Sequence, residues 1–308
     1  MEQATVVRNA GSRYELSALP EWRPFPAVLR GKVRLGGSSS TNPVAVGDRV
    51  LYCEGENGAP AQITGVLPRD NYLIRRSTNL SRRTHVIASN LDRVFVVCTL
   101  YFPELKLPFL DRLLVTCGVY RIPVTILLNK IDLYAEEAPE QVERFVKIYR
   151  SAGYEVLPLS AAKGQGVDGL KALCSSGVNL FCGESGVGKS TLLKAVNPAL
   201  SPRTGGISVS HLQGCHTTSL YEMFPSGNGG FIIDMPGLRG FGLVDLEKEE
   251  IYKYFPEMLA ASAGCRFTPC THTHEPGCAV KEAVDAGEIF PERYNSYLGM
   301  LEEDRKFR

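Results

Sequence analysis

Residues 178–196 read "VNLFCGESGVGKSTLLKAV", a short apolar run, then a glycine-rich turn, then leucines at helical spacing. The turn matches G-x-x-x-x-G-K-[ST], whose glycines let backbone N–H groups surround a phosphate at the positive end of the following helix. Lys189 would reach the β- and γ-phosphates of a nucleotide, and the Ser190 hydroxyl would coordinate Mg²⁺. A plain strand-to-helix turn is the alternative, but the flanking strand and helix favour a phosphate loop. The residues expected to line it are Gly183, Glu184, Ser185, Gly186, Val187, Gly188, Lys189, Ser190 and Thr191.

A base-reading motif lies upstream of this turn, in "LLNKIDL" (127–133). Asp132 can accept hydrogen bonds from guanine N1–H and the exocyclic amine, a donor pair that adenine lacks. The asparagine would brace neighbouring loops, and the lysine stem would lie against the purine. "SAAKG" (160–164) is similar to the second base loop of GTPases, with the Ala161 amide near guanine O6. Alone, each motif could be an ordinary turn. The predicted base-binding residues are Asn129, Lys130, Ile131, Asp132, Ser160 and Ala161.

Two further stretches follow the phosphate loop in the order in which the two switch segments of a GTPase do. "FIIDMPG" (231–237) is an apolar strand ending in D-x-x-G, whose aspartate would hold Mg²⁺ through water and whose glycine amide would meet the γ-phosphate. The glycine- and serine-rich stretch 203–223 has the length of a mobile switch. The predicted switch residues are Asp234, Gly237, Thr217 and Thr218, with Thr218 favoured over Thr217 as the second Mg²⁺ ligand.

The residue after D-x-x-G bears on the rate of hydrolysis. Many GTPases place a glutamine there to orient the attacking water, whereas this chain has Leu238. Either hydrolysis is slow or another group supplies the polar contact. His216 is the nearest candidate in sequence, and a surface histidine is the alternative. The predicted catalytic residues are His216, Lys189 and Gly237.

The motifs run in the order NKID, SAAKG, GESGVGKS, HTT, DMPG. Moving the first two behind the last restores the order of an ordinary GTP-binding domain. Joining old termini and opening a surface loop preserves sheet contacts, so one site can survive this permutation. Because strands alternate with helices over 91–234, we expect an α/β domain with a parallel sheet covered on both faces, a circularly permuted P-loop GTPase domain.

Both flanks of this domain differ from it in pattern. Residues 1–68 hold five short β-like segments separated by turn formers, which predicts a small barrel with the OB-fold as candidate. Residues 249–308 have the pattern of helices interrupted by a Cys/His loop. The expected domains are 1–72 (OB-like β-barrel), 73–245 (permuted GTPase domain) and 246–308 (zinc-binding helical domain).

An arginine-rich run follows the predicted barrel, at residues 68–85. A solvated linker and a contact to an RNA phosphate backbone both remain open for it. Its arginines are Arg69, Arg75, Arg76, Arg82 and Arg83.

The Cys/His loop reads "CRFTPCTHTHEPGC" (265–278). Three thiolates and one imidazole suit tetrahedral Zn²⁺, and four protein ligands close the shell. The site is therefore predicted to be structural, and a zinc-dependent hydrolase is disfavoured. His274 is an alternative to His272. The predicted ligands are Cys265, Cys270, His272 and Cys278.

Composition narrows the class of protein. The 308 residues carry a formal net charge of +1, so overall charge indicates no nucleic-acid partner. Six of the nine cysteines are scattered singly and three cluster, which favours reduced thiols plus a metal site. We see no apolar run of membrane-spanning length and no signal-peptide core, and we expect a cytoplasmic protein without membrane contact.

The stretches NKID, SAAKG, GESGVGKST, HTTS, DMPG and CRFTPCTHTHEPGC closely resemble the RsgA or YjeQ family of circularly permuted GTPases, across nearly the whole chain. The resemblance implies GTP hydrolysis stimulated by the small ribosomal subunit, contact with its ribosomal RNA near the decoding region, and release late in maturation. It implies a catalytic histidine in the first switch, which falls on His216, and its spacing favours His272 as the zinc ligand. Ser219 stands where the family often has a third threonine, so the choice of Mg²⁺ ligand stays open.

We therefore expect a monomeric GTPase that binds GTP or GDP with Mg²⁺, holds one structural Zn²⁺, and acts on the maturing small ribosomal subunit. The rival function is a GTP-gated binding module for a protein or metal cargo, in which hydrolysis is incidental. Stimulation of turnover by purified small subunits separates the two.

Overall fold

The computed structural model of the protein describes residues 1–30, 44–76, 84–200, 221–235 and 246–303. The predictions made for His216, Thr217, Thr218, Ser219, Gly237, Leu238, Arg82 and Arg83 lie outside these residues.

The described strands are β1 (Glu2–Ala10), β2 (Arg13–Ser17), β3 (Phe25–Leu29), β4 (Arg49–Cys53), β5 (Ala61–Val66), β6 (Tyr72–Arg76), β7 (Thr84–Ser89), β8 (Arg93–Cys98), β9 (Val124–Leu128), β10 (Glu155–Pro158), β11 (Val178–Gly183), β12 (Tyr221–Pro225) and β13 (Phe231–Asp234). The α-helices are α1 (Leu107–Val119), α2 (Pro139–Ser151), α3 (Val167–Leu173), α4 (Lys189–Val196), α5 (Pro256–Ser262), α6 (Ala279–Asp285) and α7 (Pro291–Glu303), and short 3-10 helices cover Glu56–Gly58, Ile131–Leu133 and Lys248–Tyr254.

Five parallel strands form the centre of the fold, in the order β10-β9-β8-β11-β13. Strands β8, β9 and β11 are buried along nearly their whole length, as strands covered on both faces must be. Residues of α1 and α2 pack on one face and residues of α3 and α4 on the other. The predicted α/β class with a parallel sheet is confirmed. The carboxyl ends of all five strands meet at one edge of the sheet, the carboxyl edge, where such folds bind ligands.

The N-terminal strands close into a barrel, as predicted. β1 pairs with both β2 and β4, β2 with β3, β3 with β5, and β5 with β4, so no edge is left open. Val6, Leu16 and Ile63 are fully buried in its centre. Closure of five short strands in this order gives the OB-like barrel.

Strand β12 corrects one boundary of the sequence prediction. The sequence predicts a mobile switch over 203–223, but residues 221–223 belong to a strand that pairs antiparallel with β13 and with β1. Buried Tyr221 and Met223 alternate with Glu222, the period of a half-buried strand. β12 therefore joins the barrel and the central sheet into one hydrogen-bonded sheet.

The arginine-rich run is not simply a solvated linker, because β6 and β7 form an antiparallel hairpin over part of it. Arg69 donates from Nε and Nη2 to the carboxylate of Asp48, at 2.6 and 2.7 Å. Asp48 is fully buried at the barrel and also accepts from Ser89 Oγ at 2.5 Å. Arg69 thus links barrel and hairpin and serves the fold.

The C-terminal body (residues 246–303) is helical, as predicted, and the described part of it contains no strand. Its apolar cluster includes Phe255, Met258 and Tyr297, and it extends onto Val115 of α1. The body therefore packs on the helices that cover one face of the sheet. None of the helices in the described ranges combines the length and the apolar character that crossing a bilayer requires.

Candidate functional site

The phosphate loop connects β11 to α4 at the carboxyl edge. A Cβ on Gly183 would lie 2.5 Å from Val97 O, and one on Gly188 would lie 2.4 Å from Asn129 Nδ2. Gly188 also has φ +91°, a conformation that favours glycine. Both glycines are thus required by close packing, Gly183 against β8 and Gly188 against the "NKID" loop. Ser185, Gly186 and Thr191 are exposed, whereas Val187 is buried beneath the loop.

Asn129 lies where three loops meet. Its Nδ2 donates to Val187 O of the phosphate loop at 2.8 Å, and its Oδ1 accepts from Ala161 N of the "SAAKG" loop at 3.1 Å. The side chain is buried. A single amide therefore connects the phosphate loop, the "NKID" loop and the "SAAKG" loop, whose order in the sequence is inverted.

The remaining base-loop residues surround this junction. Lys130 donates from Nζ to Gly186 O at 2.6 Å, so its stem runs from the "NKID" loop to the phosphate loop. Ile131 is buried and anchors the short helix Ile131–Leu133, while Asp132 beside it is exposed and free to accept hydrogen bonds from a base. Ser160 is fully buried, and its Oγ accepts from Lys163 N at 3.2 Å.

The metal side of the site lies between β11 and β13. These strands pair in parallel with Phe181 opposite Asp234, which brings the Asp234 carboxylate to the phosphate loop. Lys189 Nζ forms an ion pair with Asp234 Oδ1. Ser190 follows Lys189 at the start of α4 and is partly exposed. A hydroxyl and a carboxylate are hard oxygen donors, which fits Mg²⁺ bound together with phosphates.

The four predicted zinc ligands converge in the C-terminal body. One ligand atom from each of Cys265, Cys270, His272 and Cys278 lies within 4.8 Å of all the others. His272 points Nδ1 inward, 3.4 Å from Cys278 Sγ and 3.6 Å from Cys265 Sγ. His274 is exposed and its Nδ1 lies 2.9 Å from Thr273 Oγ1 instead. The donor set therefore selects His272 and suits Zn²⁺.

Protonation also fits a divalent cation at this cluster. Burial lowers the pKa of His272, which keeps the imidazole in the neutral form that binds metals. Burial and the neighbouring thiols raise the pKa of Cys270 to about 12. Crowded thiols ionise together only when a cation balances their charge, which a bound Zn²⁺ would supply.

Supporting contacts of the zinc loop were not predicted from the sequence. Tyr294 and Tyr297 of α7 donate their hydroxyls to His272 O and Thr271 O, each at 2.6 Å. The Glu275 carboxylate accepts from Thr271 N at 2.8 Å and from Thr273 N at 3.1 Å. The short distance from Thr271 to Glu275 in the chain is a local turn signal that could have indicated the last contacts.

A buried charge cluster between the C-terminal body and the central domain was also missed. Arg293 of α7 donates from Nη1 to Asp111 Oδ1 of α1 at 2.6 Å and from Nε to Glu257 Oε1 of α5 at 2.7 Å. Tyr149 of α2 donates to Asp111 Oδ1 at 2.9 Å. The signal in the sequence is Asp111 itself, a charge among leucines in the apolar segment that forms α1.

Comparison with known proteins places these features in a family. The sequence profile described as RsgA GTPase matches residues 66–244. The small ribosomal subunit biogenesis GTPase RsgA of Bacteroides fragilis is 45% identical over 305 residues, covering 98% of this chain and 98% of that protein. The protein of the same name from Porphyromonas gingivalis is 45% identical over 307 residues, covering 98% of this chain and 97% of its own.

Solved structures agree with the fold. The crystal structure of YjeQ from Thermotoga maritima has a TM-score of 0.78 at 32% identity, covering 98% of this chain and 97% of that one. YloQ, a circularly permuted GTPase, has a TM-score of 0.73 at 24% identity over 99% of this chain and 96% of that one, and it supports the fold alone.

The resemblance inferred from the motifs is thereby confirmed. Base loops that precede the phosphate loop in sequence meet it in space, and the matching profile spans more than half of the chain. Relatives align almost from end to end. On these grounds the chain belongs to the RsgA GTPase family.

Proposed function

We propose that this protein hydrolyses GTP on the maturing small ribosomal subunit and that hydrolysis releases it late in subunit biogenesis. The hydrolase activity follows from the family, and the subunit as target is supported by relatives of 45% identity that bear the name small ribosomal subunit biogenesis GTPase. The observation that carries the proposal is the Asn129 amide, which holds the phosphate and base loops in one site.

Guanine recognition is assigned to the two base loops. The exposed Asp132 carboxylate would accept from N1–H and the exocyclic amine, and the Ala161 amide region would meet O6. The Lys130 stem, fixed at its tip by Gly186 O, would form the surface under the purine. Asn129, Ile131 and Ser160 are buried and would hold these groups in place rather than read the base.

Phosphate chemistry is assigned to the opposite end of the site. Lys189 would bind the β- and γ-phosphates, exchanging its present partner Asp234 for them. Ser190, Asp234 and Thr218 would be the Mg²⁺ ligands, and the Gly237 amide would meet the γ-phosphate. A bound Mg²⁺ supplies charge neutralisation for the transferred phosphoryl group.

The attacking water needs a polar group that Leu238 does not offer, and we assign that role to His216. Without a glutamine at position 238 the free protein should hydrolyse GTP slowly. Binding to the subunit would place His216 at the water, which would account for stimulation by the partner in terms of positioning.

The flanking regions complete the proposal. The proposed domains are 1–72, 73–245 and 246–308; the barrel strands end at Val66, and the first limit falls inside β6 (Tyr72–Arg76). The Zn²⁺ of the last domain would be structural. Arg69 is already paired with Asp48. We therefore assign contact with ribosomal RNA to the other arginines of the 68–85 segment. A monomer working in the cytoplasm, without membrane contact, is the form we expect for a factor that docks on a ribosomal subunit.

The decisive measurement is GTP turnover with and without purified small subunits. The wild-type protein should be slow alone and strongly stimulated, and His216→Ala should lower the stimulated rate by about a hundredfold, the scale of a lost general base. Binding of GTP should be unchanged in this variant. Wild-type turnover that small subunits leave unchanged would instead support a GTP-gated binding module for a protein or metal cargo.

Asp132→Asn should change the base that the protein prefers. The amide would present a donor where guanine also has a donor, so affinity for GTP should fall about a hundredfold, and xanthosine triphosphate, which carries an oxygen there, should bind better than GTP. The matched control is Glu136→Gln, the same loss of charge at an exposed position nearby. Equal loss of GTP affinity in both variants would remove Asp132 from the base site.

A further inference from the structure

Lys130 is held at its ammonium by two carbonyls from different elements. Nζ donates to Gly186 O at 2.6 Å and to Phe102 O at 2.7 Å. Phe102 belongs to residues 99–106, the loop between β8 and α1, which contains none of the nucleotide motifs. Since the Lys130 backbone is also set at φ +63°, both ends of this side chain are fixed. One of the two hydrogen bonds that hold the Lys130 ammonium therefore comes from a residue outside the nucleotide motifs.

The 99–106 loop is built to hold that carbonyl in place. Thr99 is buried and donates from Oγ1 to Pro103 O at 2.7 Å, and Leu105 N donates to Leu100 O at 3.2 Å. Pro103 lies against the phosphate loop, since a Cβ on Gly186 would be 3.7 Å from Pro103 Cδ. The turn between Thr99 and Leu105 is thus closed internally and seated on the phosphate loop.

The same loop supports the "NKID" loop at a second point. Tyr134 is buried and donates from its hydroxyl to Asn129 O at 2.6 Å. The Tyr101 ring lies edge-on to the Tyr134 ring, with centroids 5.7 Å apart and planes at 73°. Tyr101 therefore packs on the residue that fixes the Asn129 carbonyl, while Phe102 fixes the Lys130 ammonium.

We propose that the 99–106 loop, acting with Tyr134, is a positioning element of the guanine site that sets the Lys130 stem and the "NKID" backbone for the base. This rests on the proposed guanine specificity and adds residues that do not touch the nucleotide. Phosphate binding should depend less on the element than base binding does, because Lys189 and Asp234 are held by α4 and β13. Loss of the element should therefore weaken binding of guanine nucleotides selectively.

Tyr134→Phe tests the proposal by removing the buried phenol hydroxyl, and with it the bond to Asn129 O, while keeping the ring. Affinity for GDP should fall about tenfold, the effect of one such bond, while the much weaker affinity for ADP stays the same. Turnover at saturating GTP should be unchanged, so the effect appears in KM and not in kcat. The control is Tyr52→Phe, which loses a part-buried phenol bond in the barrel, to Glu2 Oε2 at 2.5 Å. That control should lose stability without losing GDP affinity.

Two variants in the loop separate positioning from direct contact. Tyr101→Leu, at a partly exposed position, should lower GDP affinity in the same selective way without unfolding the protein. Phe102→Ala keeps the carbonyl and removes a largely exposed ring, so its GDP affinity should fall less than that of Tyr101→Leu. Lower affinity of Phe102→Ala for both GDP and ADP would mean that the ring stacks on the nucleotide, and it would overturn the proposal.

The nucleotide preference of the wild-type protein separates failure of the proposed guanine site from failure of the proposed role of the 99–106 loop. If the wild-type protein binds ADP as tightly as GDP, the guanine site itself is wrong. If it prefers GDP but Tyr134→Phe and Tyr101→Leu keep that preference in full, the guanine site stands and the positioning role of the 99–106 loop is wrong.

Discussion

Cys278→Ser is expected to remove zinc from the protein and to unfold much of the C-terminal body. Cys278 is buried and is the N-cap residue of α6, so the proposed zinc ligand also stands at the start of a helix. Helices α5 and α6 have seven residues each, far too short to be stable without packing. Structural zinc contributes an apparent free energy of about 10–16 kcal/mol in zinc-finger peptides, and in this region it would be the main source of folding free energy.

The measurement is zinc content by atomic emission together with amide exchange over residues 256–303. The wild type should hold one zinc per chain and protect α6, whereas Cys278→Ser should hold almost none and lose that protection. His272→Ala should behave like Cys278→Ser, and His274→Ala should behave like the wild type, because His274 is exposed and lies outside the cluster. Full zinc content in His272→Ala would mean that the ligand set is wrong.

The central sheet and the phosphate loop could be predicted because each depends on a local rule. Buried parallel strands are continuous apolar runs, as "RVFVVC" and "VNLFCG" are. Gly188 must be glycine because its φ is +91° and a Cβ there would collide with Asn129. The phosphate-loop motif itself specifies glycine at this position. The Cys/His cluster could be predicted for the same reason, because its residues lie in one short loop, whereas the choice of His272 over His274 came from the family resemblance.

Features that depend on distant contacts could not be predicted in this way. The pairing of β12 with β1 joins segments more than two hundred residues apart, and neither strand indicates its partner. In the sequence Arg69 is one of several arginines in a basic segment. Only the structure shows that it pairs with the buried Asp48 and stabilises the fold. In the sequence Tyr134 has nothing that distinguishes it from a core aromatic residue. Its hydrogen bond to Asn129 O is visible only in the structure.

The Arg293–Asp111 pair is the extreme case, since 182 positions separate its members. Both side chains are about 1% exposed. Burial raises the pKa of Asp111 and Arg293 opposes that rise. Although burial lowers the pKa of Arg293, the carboxylates of Asp111 and Glu257 raise it overall, so the guanidinium stays charged. The cluster connects α1, α2, α5 and α7 and fastens the C-terminal body to the central domain.

Arg293→Met should therefore destabilise the docking of α7 on α1 by about 3–5 kcal/mol, because it leaves Asp111 buried without a counter-charge. Asp111 in this variant should have a still higher pKa, above its unfolded value. Stability that is present at low pH is then lost as pH rises through the raised pKa of Asp111. The loss of docking free energy in Arg293→Met should therefore be larger at pH 8 than at pH 5. Amide exchange of α1 and α7, measured at both pH values, gives the free energy of opening.

The matched control for this prediction is Arg144→Met, which breaks the ion pair from Arg144 to Glu292 at the same interface. The Arg144 side chain is 57% exposed, so the loss should stay below about 1 kcal/mol. The double variant Arg293→Met with Asp111→Leu should recover part of the stability, because the buried Asp111 charge is gone, while Glu257 and Tyr149 still lack their partners. A double variant as unstable as Arg293→Met would show that Arg293 stabilises the interface through its stacking on Phe255, at 4.5 Å from the ring centroid, and not through its charge.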